Sequence, residues 1–97
     1  MSFMGRRTGH DAPAARQGVH DIRLDEDLWA TRMLPEGLLE RWLVADGALV
    51  EAGITVAELL IEGALVGVAA PVSGRLEMLA AVNAVVEPGS IIGRLRT

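Results

Sequence analysis

The chain of 97 residues has no lysine, no cysteine and no tyrosine, and its aromatic content is one Phe and two Trp. The missing cysteine excludes disulfides, thiolate metal sites and thiol nucleophiles. All nine basic residues are arginines, so no side-chain amine is available for covalent attachment. The longest apolar stretch, residues 54–72, is interrupted by Glu58 and Glu62. Nothing approaches the roughly 18–20 apolar residues that a membrane span requires. No hydrophobic run follows Arg6-Arg7, so no secretory or twin-arginine signal is read there. No membrane partner is expected, and the compartment that fits is a bacterial cytoplasm.

The net charge of −4 is unevenly placed, with three Arg and one Asp over residues 1–20 against six Arg and twelve carboxylates over residues 21–97. An acidic domain matches nucleic acid poorly, because that binding is dominated by phosphate neutralisation. No nucleic-acid partner is expected. Residues 1–20 are rich in Gly, Ala and Arg and lack periodicity, the composition of a disordered tail. Residues 21–97 then form a single domain. His10-Asp11 and His20-Asp21 repeat a dipeptide, but in a tail without further ligands they read as solvated residues, not a metal site.

What is present is a hairpin. The apolar runs Val56–Ile61 and Ala64–Ala70 flank Glu62-Gly63, and two such runs joined by two residues, one of them Gly, are a hairpin signature. Pairing then stops at Pro71-Val72-Ser73-Gly74. Upstream, Ile22–Leu24 is expected to open the first strand, leading into three successive carboxylates, Asp25, Glu26 and Asp27. Leu38, Leu39, Trp42 and Leu43 have helical spacing. Gly47 and Gly53 interrupt any helix there, and a strand is predicted instead.

An internal repeat supports that choice. Residues 43–59 and 79–95 match at an offset of 36, with Leu43/Leu79, Ala45/Ala81, Ala48/Ala84, Val50/Val86, Glu51/Glu87, Gly53/Gly89 and Leu59/Leu95 identical. Gly47 faces Asn83, and these are the residue types that best tolerate positive φ. Two similar halves, each strand–turn–short strand–turn–strand, predict an all-β fold with a pseudo-twofold internal repeat. The core expected for it is Trp42, Leu43, Val50, Val56, Leu59, Val66, Val68, Leu76, Met78, Val86, Ile92 and Leu95.

The hairpin, A-E-L-L-I-E-G-A-L-V-G-V-A-A-P-V-S-G over residues 57–74, resembles the attachment hairpin of the biotinyl/lipoyl carrier domains, whose lipoyl form runs A-E-L-E-T-D-K-A-T-V-E-V-P-A-P-V-S-G. Glu36, Gly37, Trp42, Leu43, Val44, Gly47, Val50 and Gly53 also match the family's E-G-x-x-x-x-W-L-V-x-x-G-x-x-V-x-x-G. With Leu60-Ile61 before Glu62-Gly63, the stretch lies closer to the lipoyl form than to the biotinyl A-M-K-M. The resemblance covers nearly all of residues 22–97 and implies the barrel-sandwich hybrid architecture, a flattened barrel or sandwich of two small antiparallel sheets. It departs at the position that matters most: Glu62 stands where the family has Asp, and Gly63 where it has the acceptor lysine. No cofactor is therefore expected, and Gly63 is a vacated attachment position with Glu62 beside it.

In lipoyl domains the loop after the first strand lies beside that hairpin and helps partners to recognise the domain. The resemblance thus implies Asp25, Glu26, Asp27, Ile61, Glu62 and Leu65 as partner-recognition residues, with dehydrogenase, carboxylase or ligase subunits as partners. An ordinary solvated acidic loop is the other reading of residues 25–27. Leu60, Ile61 and Leu65 are polar positions in the family, so the hairpin is also open to self-association or to a purely structural role. No catalytic residues are expected: both histidines fall in the expected tail, and Ser73 and Ser90 sit in turns. An acyltransferase component would need a separate, much larger catalytic unit.

Overall fold

The structure, a computed structural model, describes residues 18–97. Eight strands follow in order: β1 (Val19–Arg23), β2 (Gly37–Trp42), β3 (Leu49–Val50), β4 (Thr55–Ile61), β5 (Ala64–Ala69), β6 (Gly74–Met78), β7 (Val85–Val86) and β8 (Ile91–Arg96). A single 3₁₀ turn, Glu26–Trp29, lies between β1 and β2. All pairings are antiparallel, and the two four-stranded sheets run β1-β8-β6-β3 and β5-β4-β2-β7. Their inner faces share one apolar core, which makes the fold an all-β sandwich.

The pseudo-twofold relation is carried into the backbone. Exchanging β1, β2, β3 and β4 for β5, β6, β7 and β8 converts one strand order into the other. Leu43 donates its N–H to Val56 at 2.8 Å, as Leu79 does to Ile92 at 3.0 Å. Gly53 likewise donates to Ala70 at 2.9 Å, as Gly89 does to Leu24 at 2.8 Å. The turn positions agree too: Gly47 and Asn83 have φ of 87° and 76°, Gly53 and Gly89 of 91° and 92°. The 36-residue repeat records two copies of one strand–turn–strand unit.

The core contains Val50, Val56, Leu59, Val68, Leu76, Val86, Ile92 and Leu95, as expected, and adds Ile22, Leu24, Trp29, Leu39 and Ile61. Trp42, Val66 and Met78 pack against it half-buried, whereas Leu43 is 43 % exposed. A bulge explains the helical look of residues 38–43. The β2–β4 register shifts between Leu39 and Arg41, leaving Glu40 without a direct partner. The extra residue breaks the alternation of the strand, so Leu39 and Trp42, three apart, both pack on the core. Trp42 then donates its Nε1–H to Ala80 at 3.1 Å and lies over Gly93, where an added Cβ would come within 3.2 Å of Cη2.

The first strand starts earlier than composition suggests. β1 begins at Val19 and His20 pairs with Leu95, so His20 belongs to the sandwich and not to a tail. Residues 1–17, with His10-Asp11, lie outside the described residues. The first and last described residues meet: Thr97 donates its N–H to Gly18 at 3.0 Å, and Gly18 donates to the Thr97 Oγ1 at 3.2 Å.

Candidate functional site at the hairpin tip

The β4–β5 hairpin closes with Ile61 paired to Ala64, leaving Glu62-Gly63 as its turn. Both turn residues are left-handed, with φ of 48° and 82°. That is the backbone of a type I′ turn, whose twist matches the flanking strands and which favours Gly. Glu62 holds a conformation that costs a side-chain-bearing residue about 1–2 kcal/mol. Its carboxylate offsets part of this by reaching back: Oε2 accepts the backbone N–H of Met33 at 2.6 Å and of Leu34 at 2.7 Å. The tip is clamped to the β1–β2 loop.

Packing beneath the clamp fixes the same loop. Asp25 caps the 3₁₀ turn by accepting the Asp27 N–H at 2.8 Å. The turn delivers Trp29 into the core, where its Nε1–H donates to the Glu36 carbonyl at 3.2 Å. Gly37 is needed where β2 starts, since a Cβ there would lie 2.9 Å from Ile61 Cγ1 and 3.1 Å from the Leu60 carbonyl oxygen. Trp29, Gly37 and Ile61 therefore form the floor under the hairpin end.

Above that floor the outer face of the sheet is apolar. Leu65 pairs with Leu60, Leu60 with Leu38, and Leu38 with Val85, one row crossing all four strands. Leu65 and Val85 are 57 % and 69 % exposed, and Met33 and Leu34 beside the clamp are 90 % and 60 % exposed. A shallow depression of about 260 Å³ runs between Leu34, Leu38, Leu60, Val85 and the tip residues Glu62 and Gly63.

The expected recognition residues divide. Glu62 and Leu65 lie at the tip and on the row. Ile61 does not belong there: it is fully buried, because strand alternation puts it on the same inner face as Leu59. Asp25, Glu26 and Asp27 are exposed but line a different depression, with Arg23, Pro88 and Gly89. The part of the loop that touches the tip is Met33-Leu34. Neither of these two, nor Val85, stood out in the sequence, although an apolar pair immediately before Pro35 was the available signal.

The two serines of the described residues hold backbone groups. Ser73 Oγ accepts the Ala52 N–H and Ser90 Oγ the Glu87 N–H, both at 2.9 Å. The first ties Ser73 to a residue 21 positions away, the second is local to its turn. His20 is exposed on β1. Among the described residues no group of three or more His, Cys, Asp or Glu side chains is placed to hold a metal ion, and no helix is long and apolar enough to cross a membrane. No known family model and no curated protein matches the chain.

Proposed function

We propose that this protein is a non-catalytic interaction module built on a carrier-type β frame of the biotinyl/lipoyl kind, working in a bacterial cytoplasm. It has no acceptor lysine and carries no covalent cofactor. Its role is assembly or regulation within a 2-oxo-acid dehydrogenase or similar acyl- or carboxyl-transfer system, with dehydrogenase, carboxylase or ligase subunits as partners. The observation that carries this reading is the tip itself. Where a carrier would present an amine the chain has Gly63, and beside it Glu62 is turned back onto Met33 and Leu34, with an exposed apolar row alongside. An apolar centre within a polar rim is the usual make-up of a protein-binding face.

Titration of the purified protein against dehydrogenase, carboxylase and ligase components tests it. Binding is expected at or below the order of tens of micromolar, weakened by Val85→Asp or Leu34→Asp. Absence of binding to every component overturns it.

A second reading, a structural module with no carrier-type partner, is favoured by one observation: Gly63 has φ of 82°, a shape that suits glycine for its own sake. Gly63→Lys separates the two. Modification of the variant by a lipoyl or biotinyl ligase, seen as an intact-mass increase, supports the carrier frame. An unmodified, folded variant supports the structural module.

A further inference from the structure

One edge strand of the sandwich carries neither charge nor proline over its six residues. β5 ends its sheet, and no other strand among the described residues pairs with its outer side. Its sequence, Ala64-Leu65-Val66-Gly67-Val68-Ala69, has no charge, no proline and no register shift of its own pairing before Val68. Natural edges are normally blunted by charges, Pro or bulges. The contrast within this molecule is direct. β1, its pseudo-twofold counterpart on the other sheet, carries His20, Asp21 and Arg23, while both strands share a register shift at the far end of their pairing, at Ile22/Arg23 in β1 and at Val68/Ala69 in β5.

We propose that the free edge of β5 pairs antiparallel with β5 of a second copy of this chain, joining the two sheets into one across a twofold axis at Gly67. The backbone sets the register. In a hairpin with a two-residue turn, the residues flanking the turn exchange both bonds, and bonding alternates from there. Ala64, Val66 and Val68 thus face β4, and Leu65, Gly67 and Ala69 turn their N–H and C=O groups outward. A twofold at Gly67 sets Gly67 opposite Gly67, and Leu65 opposite Ala69, in the two copies. Each pair exchanges both backbone bonds as in an ordinary antiparallel ladder.

A second copy is the occupant that the side chains favour. The pairing sets the large Leu65 against the small Ala69 at both ends and leaves the axis free of side chains. Because β5 is uncharged, its self-pairing carries no like-charge cost. Leu65 is 57 % exposed in the single copy and Val66 only half-buried, so both gain cover. This edge runs along the strand and shares only Leu65 with the row beside the tip, and it does not depend on the carrier reading.

Sedimentation of the intact chain from about 1 µM to about 1 mM tests the proposal. A concentration-dependent dimer is expected, with slowed amide exchange at Leu65 and Gly67 as it forms. Charge swaps test the register. Leu65→Lys with Ala69→Lys places like charges opposite each other and should weaken the dimer by about tenfold or more. Leu65→Lys with Ala69→Glu places opposite charges there and should restore it, which also shows that substitution at these exposed positions leaves the fold intact. A strict monomer with fast exchange along β5 overturns the proposal, even if the edge accepts a strand from another protein. A dimer indifferent to both charge pairs overturns it as well.

Discussion

Glu62 accepts the backbone N–H of Leu34 at 2.7 Å across 28 positions of sequence. The same oxygen holds Met33 at 2.6 Å, so one carboxylate ties the hairpin turn to the loop between β1 and β2. Charge-assisted bonds of this kind are stronger than neutral ones, though exposure reduces their net effect.

Glu62→Ala should therefore release the loop. Faster amide exchange is expected at Met33 and Leu34, with a stability loss of about 1 kcal/mol. Glu62→Gln, which keeps an acceptor but not the charge, should fall between the two. Unchanged exchange at both amides would show that the clamp does not hold the loop in solution.

Burial separates two neighbouring apolar residues of the hairpin. Ile61 has no exposed surface and Leu65 has more than half of its surface in water. Ile61→Ala should cost about 2–5 kcal/mol, whereas Leu65→Ala should stay within about 0.5 kcal/mol in dilute protein. Urea midpoints at constant slope measure both. Equal losses would mean that the face assignment of β4 and β5 is wrong.

The paired left-handed turns respond to substitution by type. Asn83→Gly is expected to be neutral or slightly stabilising, while Gly47→Ala and Asn83→Ala should each cost about 1 kcal/mol or more, since φ is 87° and 76° there. Thermal midpoints compare them. A harmless Gly47→Ala would contradict the turn.

Crowding, not φ, governs two other glycines. A Cβ at Gly74 would lie 2.7 Å from the Arg96 carbonyl oxygen, and one at Gly93 would lie 2.9 Å from that of Glu77. Backbone atoms of a paired strand yield little, so Gly74→Ala and Gly93→Ala should each destabilise by about 1–3 kcal/mol. Denaturant midpoints close to wild type would show that the sheet can open to accept a methyl group.

The repeat was legible in the sequence because it is written in residues with strong conformational demands. Gly47, Gly53, Asn83 and Gly89 mark the turns, and the turns order the strands. The bulge at Glu40 was not legible, because an inserted residue changes the period of the pattern without leaving a characteristic residue type. Ile61 was hidden differently. Leu59, Leu60 and Ile61 are all apolar, so alternation cannot be read from composition when both faces of the strand are greasy. Counting by two from Leu59 recovers it. The clamp and the floor under the tip join residues far apart in sequence, Glu62 with Leu34 and Trp29 with Gly37 and Ile61. No local pattern carries such contacts.

The Gly18–Thr97 hydrogen bonds make the described chain almost a ring. Bridging these two residues with a short linker and opening the backbone between Glu62 and Gly63 would yield a circular permutant with every sheet pairing intact. Such rearrangements succeed where the new ends fall in an exposed turn. For the same reason the sandwich can be set as a cassette into a surface loop of a larger protein, because its two ends need no more separation than the ends of the loop that would receive it.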